Sequence, residues 1–259
     1  MGPGHKILKM EYKNIRISLL CFSIFVALAL LYYFSSVMAV TPSGANYTNA
    51  ITSTAPADEP QSIQAQAGNV TRLNIFGYTT TQSWQGYYGN VSGTLQLADS
   101  NDKVLYNWSL ASPEGEVYAS INGSGEISWG DIACFNMNNH QALEALYNIS
   151  TDDVDGVNET FKTGNSHDLF YTAGTYFATG TCASTQIFDS SGHGNDNHFE
   201  EVLLTDASSS TQVIFASLLE EENIAGFDGE YYDFEMLVLE NGHGTDTAAT
   251  PYYFYVELQ

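Results

Sequence analysis

The chain has 259 residues, 44% of them hydrophobic, and sets seven Lys and Arg against 30 Asp and Glu. A net charge of −23 excludes a nucleic-acid-binding or anionic-lipid-binding surface for the bulk of the chain, because both need basic patches. Four of the bases precede the first apolar run, and only Arg72, Lys103 and Lys162 follow it, against 29 acids, a formal charge of −26.

Residues 1–16 hold Lys6, Lys9, Lys13 and Arg16 and read as a cytoplasmic basic region. The apolar run 17–34 follows, about 27 Å long as a helix, close to the hydrocarbon thickness of a bilayer. Two readings stand for residues 17–39. One is a signal peptide, for which Val37-Met38-Ala39 offers small residues at a cleavage site; the other is a retained transmembrane anchor, which the length of the run favours. Either way the remainder is expected outside the cell or on its surface. Residues 40–68 are rich in Ser, Thr, Ala and Pro and read as a linker holding the rest off the membrane.

From residue 69 to 259 short alternating runs are separated by turn clusters, which predicts an extracellular β-rich domain built as one unit or two. Strands are expected at 69–78, 91–97, 104–110, 115–121, 184–189, 199–205, 211–219, 231–239 and 252–258. Val104, Tyr106, Trp108 and Leu110 share one face of their run, so Asn107 points the other way. One helix is expected near 139–148, capped by Asn138 or Asn139, with Leu143, Leu146 and Tyr147 on its apolar side. The fold class is therefore mainly β, antiparallel and β-sandwich-like, with one short helix, preceded by an N-terminal hydrophobic signal or anchor helix.

Seven Asn-x-Ser/Thr sequons, at Asn46, Asn69, Asn90, Asn107, Asn122, Asn148 and Asn158, are candidate N-glycosylation sites. None lies in residues 159–259. That half is either free of sugar for packing against another subunit or surface layer, or simply poorer in Asn-containing loops. Cys134 and Cys182 are the only cysteines after the apolar run, and an even pair in an oxidising compartment reads as one disulfide. Closing that loop would stabilise the fold by about 4 kcal/mol. So one-sided a charge is also expected to make the fold more stable in salt or Ca²⁺, seen as a raised melting temperature.

Several segments suggest ligands. Asp153 and Asp155 precede a flexible Gly156 and form a candidate Ca²⁺ loop, the alternative being a solvated acidic turn. The position that an EF-hand would fill with a bidentate Glu is Lys162, so the loop is not an EF-hand. Trp84, Tyr87 and Tyr88 offer a candidate aromatic platform for sugar rings; aromatics at a strand start also serve as core. Asp189-Ser-Ser-Gly-His-Gly-Asn195 resembles a turn near the start of laminin-G-like and concanavalin-like lectin domains, and His193 and His198 in this loop are weighed as metal ligands against a plain β-turn. No nucleophile elbow, zinc-protease motif, phosphate-binding glycine loop or Cys-x-x-Cys occurs, so the chain reads as non-enzymatic.

The segments SWQGYYGNVSGTLQL, LYNWSL, GEVYAS, ISWGDIACFN and TPYYFYVEL are similar to those of secreted or membrane-anchored β-rich envelope glycoproteins of archaea. The resemblance implies an envelope location and N-glycosylation and carries no activity. The expectation is an exported cell-surface glycoprotein of structural or adhesive role, with a carbohydrate-binding module as the alternative and an extracellular hydrolase third. Its partners would be envelope components, further copies of itself or glycans, and the membrane through the N-terminal segment if uncleaved; Ca²⁺ is the only cofactor suggested.

Overall fold

A computed structural model describes residues 41–110, 114–207, 212–220, 223–244 and 246–258, so the apolar run 17–34 and the cleavage site at Ala39 lie outside the described residues. No helix among the described residues is long and apolar enough to cross a membrane. The described chain is mainly antiparallel β, in one seven-stranded sheet and three two-stranded ones.

The large sheet runs in the order β1 (Ser43–Gly44), β13 (Tyr253–Leu258), β5 (Gly115–Ser120), β11 (Val213–Leu218), β10 (Glu200–Asp206) and β6 (Ile132–Cys134), with β9 (Ser184–Gln186) also pairing β10. Its centre is β10, EEVLLTD, and β11, VIFASL, whose near-continuous apolar runs suit strands covered on both faces. Val202, Leu203, Leu204, Phe215 and Ala216 are fully buried. Odd and even side chains enter two different clusters: Leu203 and Phe215 pack with Phe161 and Val238, while Val202 and Leu204 pack with Tyr118 and Phe170.

Two small sheets cover these faces. β2 (Trp84–Gly89) pairs with β12 (Phe234–Leu239) on the side of the first cluster, where Met236 and Val238 are buried. On the other side β7 (Phe170–Thr172) pairs with β8 (Thr175–Phe177), stacking Phe170 on Phe177 at 4.7 Å. The third small sheet is the hairpin of β3 (Thr94–Ala98) and β4 (Val104–Ser109), exposed along its whole length.

Cys134 on β6 bonds Cys182 just before β9, with Cα atoms 5.1 Å apart, inside the range a disulfide spans. Beside it, the fully buried His167 accepts the Cys182 N–H at Nε2, which leaves Nδ1 to donate to the Asp168 carbonyl.

Helix α1 (His140–Leu146) lies where the sequence places it, followed by a single turn, α2 (Val157–Thr160). Two details of the expected helix change. Leu143 and Tyr147 are buried, as an i,i+4 pair on one face must be, but Leu146 is 61% exposed. Asn139 makes no side-chain cap; Asn136 accepts the Asn138 N–H instead, opening a 3₁₀ turn that leads into the helix.

Three larger expectations change. The alternating face of 104–110 is not buried: Leu95 pairs across from Trp108 and Leu97 from Tyr106, and these four side chains are 45–60% exposed. The sequon-free half of the sequence is not a half of the molecule, since β13 pairs with β5 and β12 with β2. Finally, 69–78 has strand character but is no strand; every residue from 43 to 82 is exposed, and among the described residues no segment pairs with 69–78.

Candidate functional site

A cleft of about 690 Å³ opens where β5, β10 and the chain around β7 meet. Its lining is acidic: Glu116, Asp168, Asp196 and Glu200, with Tyr171 and His198. The strands explain the cluster. Glu116 and Glu257 are register partners on β5 and β13, so both carboxyls project to one face, where the buried Tyr118 hydroxyl stands 3.3 and 3.2 Å from them and can donate its one proton to either. Burial, then the neighbouring Glu257 charge, pushes the Glu116 carboxyl up to about 8. Burial raises Glu257 as well, and lifts Glu200 to about 7.

These groups are engaged within the protein. Glu257 accepts the Ala173 N–H from the β7–β8 turn at 2.9 Å, and Glu200 accepts the N–H groups of Asp168 at 2.6 Å and Asn197 at 3.1 Å. The arrangement fastens the β7–β8 hairpin and the 189–198 loop to the sheet with carboxyls that burial pushes above their ordinary pKa. Among the described residues no group of three or more His, Cys, Asp and Glu is placed to hold a metal ion.

The residues singled out in the sequence fall in four places. Asp153 accepts the Ser150 N–H at 2.7 Å and stands 3.8 Å from His243 Nε2. Asp155 accepts the Thr81 hydroxyl with its carboxylate and the Trp84 indole N–H with its carbonyl at 2.6 Å. The two carboxylates are turned to different partners, and the loop anchors the chain just ahead of β2. In the 189–198 loop Asp189 organises the turn: it accepts the Ser191 N–H at 2.7 Å, the Asn195 amide at 2.7 Å and the His198 ring. Hydrogen bonds from Ser191 and then its other partners hold the Asp189 carboxyl well below the usual range. His193 turns instead to the Ser191 carbonyl at 3.0 Å.

The three aromatics of β2 separate. Trp84 packs on Phe161 at 5.8 Å and Tyr87 on Phe254 at 5.1 Å, both at the rim of the core. Tyr88 points outward and meets Phe227 at 5.0 Å and Tyr232 at 4.8 Å, with Tyr231 exposed in the same segment. This exposed aromatic patch joins two segments about 140 residues apart, and nothing in the spacing of Trp84, Tyr87 and Tyr88 announces it.

Of the sequon residues, Asn46, Asn69, Asn90, Asn107, Asn148 and Asn158 are exposed. Asn122 is different: its Nδ2, the atom that would carry the sugar, is buried without a hydrogen-bond partner. No protein-family model matches the chain, and searches of curated proteins and of solved structures likewise find no match.

Proposed function

We propose that the protein is an exported, non-enzymatic glycoprotein of the cell surface with a structural or adhesive role, its β-sandwich-like domain held off the membrane by the 40–68 linker. One observation carries this reading: the Cys134–Cys182 bond, which belongs in an oxidising compartment. Six open sequon asparagines and the basic, then apolar, N-terminus support it. The buried carboxyls of the cleft fasten loops together, which favours a structural role over a catalytic one. The test is the intact mass and N-terminal sequence of native protein. A glycan-laden mass, with two hydrogens fewer than the reduced chain and either Val40 first or the N-terminus retained, is expected. A sugar-free chain with both thiols reduced would sink the reading.

A second reading, carbohydrate binding, is favoured by the exposed Tyr88–Phe227–Tyr232 patch, since aromatic faces stack on sugar rings. The informative variant is Tyr88→Ala, because Trp84 is bound into the core. Saturable glycan-array binding that disappears in Tyr88→Ala supports this second role, and an array with no signal for the wild type removes it.

A further inference from the structure

We infer that residues 69–78 are a donor strand, which pairs with the free edge of β2 in a second copy of this chain. Such pairing is independent of the cell-surface reading and goes beyond it.

The acceptor is a strand edge that no strand among the described residues pairs with. β2 has one partner, β12. The Glu240 N–H donates to the Ser83 carbonyl on that side, so by antiparallel alternation the N–H and C=O groups of Trp84, Gly86 and Tyr88 point away from β12. Only the Gly86 carbonyl is answered, by the neighbouring Gln85 side chain at 2.7 Å. The opposite edge, on β12, is sealed by side chains of the large sheet: Glu201 accepts the Leu237 N–H at 2.8 Å and the Ser217 hydroxyl donates to the Glu235 carbonyl at 2.8 Å. The contrast between a sealed and an open edge marks β2 as the side left for a partner. Next to it the core itself is open. Tyr87, Val91, Phe254, Val256 and Leu258 are packed against the buried cluster yet only partly covered, and β1 shields just two residues of β13.

The donor is a strand-like sequence with no sheet. Val70, Leu73, Ile75, Phe76 and Tyr78 are 54–101% exposed. Among the described residues the stretch 46–80 makes one hydrogen bond, from Asn69 N–H to the Gln66 carbonyl, so its backbone groups are unpaired as well. Apolar side chains fall on both faces of 73–78, as in a strand covered on two sides.

A second copy is the occupant that fits this edge. Residues 60–98 contain no acid and one base, Arg72, whereas the chain from 99 onward carries 27 acids. Donor and acceptor thus lie in a stretch that brings no carboxylate of its own to the contact between two such anionic molecules. The sequons Asn69 and Asn90 stand at the outer ends of donor and acceptor, leaving the strands between them sugar-free. The donor is joined to its own β2 by residues 79–83, about 18 Å at full extension, so the donor and acceptor of two copies must meet side by side.

The test uses the full chain in mild detergent, with mass read by light scattering. Wild type is expected at twice the single-chain mass or more. Ile75→Asp and Gly86→Pro are each expected at the single-chain mass, and a 1:1 mixture of the two is expected to re-form dimers, one supplying the intact edge and the other the intact donor. Because Ile75 is 88% exposed, Ile75→Asp should melt like an isolated wild-type chain. Should Gly86→Pro not fold, a peptide of residues 69–80 must bind saturably to the Ile75→Asp chain. A single-chain wild type, an Ile75→Asp variant that assembles normally, a mixture or peptide that fails to bind, or a destabilised Ile75→Asp monomer whose arm had folded onto its own β2 would each overturn the inference. Sugar-free cytosolic protein that still assembles would keep it and defeat the cell-surface reading.

Discussion

The chain places its apolar side chains in two opposite ways. In β10 and β11 they are paired, buried and surrounded, and even Glu200, Glu201 and Asp206 in the same strands are buried with them. In the arm 46–82 and the β3–β4 hairpin, large apolar side chains stand in solvent although acids are scarce there. A soluble chain usually protects exposed apolar surface with charge; this one concentrates its charge on the domain that has already folded. The contrast sets strands paired and buried within one chain against an arm of strand-like sequence that enters no sheet among the described residues.

The sharpest way to break the comparison is to remove one large aromatic from each region. Phe215 is fully buried among Trp84, Phe161 and Tyr252, with ring centroids 6.4, 6.4 and 6.1 Å away. Phe215→Ala is expected to cost about 3–5 kcal/mol in denaturant unfolding, the loss of transfer energy plus a cavity. Phe76 is 79% exposed, with Tyr78 its ring neighbour among the described residues, so Phe76→Ala in the unassembled chain should change stability by less than about 0.5 kcal/mol. Equal losses would mean that the arm packs on its own domain.

Much of the paired region is legible in the sequence. The strands expected at 104–110, 115–121, 199–205, 211–219 and 252–258 lie within a residue or two of where apolar runs bounded by turn residues place them. α1 and the disulfide are legible for similarly local reasons, a run of helix formers and an even cysteine count. Pairing partners are not. The sequence suggests one aromatic platform at Trp84, Tyr87 and Tyr88, and only the fold shows that Trp84 and Tyr87 turn to the core while Tyr88 joins Phe227 and Tyr232. The 69–78 segment carries the composition of a strand, but composition cannot state whether an edge is within reach. The buried carboxyls are invisible too: among so many acids, nothing local distinguishes Glu116 or Glu201 from a solvated one.

Those carboxyls give the second prediction, of intermediate size. Burial raises Glu116 to about 8 and Glu200 and Glu235 to about 7, and lifts Glu201 well above its ordinary 4.5. One Glu201 oxygen has no hydrogen-bond partner among the described residues, as suits a neutral carboxyl better than an ionised one. A raised folded-state pKa contributes stability that is complete below the unfolded value and is lost as pH climbs through the folded one. The melting temperature should therefore be highest near pH 4–5 and fall by several degrees toward pH 8. Repulsion among the surface acids works in the same direction, so the separating variant is Glu116→Gln, which keeps the shape of the protonated group. It should flatten the upper part of the fall, near pH 7–8, and leave the arm untouched. A profile that rises between pH 5 and 8 would show these carboxyls to be ionised and well solvated in the fold.

The smallest effect concerns one nitrogen. Asn107 lies on the exposed hairpin, where a sugar meets no neighbouring chain. Asn122 follows β5, and the region that buries Tyr255 also encloses it: the Tyr255 hydroxyl donates to the Asn122 carbonyl at 2.8 Å, and the Asn122 Nδ2 is out of reach of solvent. A glycan on that atom would have to displace the turn between β5 and the 3₁₀ turn at Trp129–Asp131, so the two sequons should differ although both satisfy the motif. Site-specific mass spectrometry of native protein should find Asn107 occupied and Asn122 bare. Asn107→Gln should remove one glycan from the intact mass, whereas Asn122→Gln should leave glycan mass unchanged. An occupied Asn122 beside an empty Asn107 would reverse the assignment of open and closed surface on which the comparison of arm and domain stands.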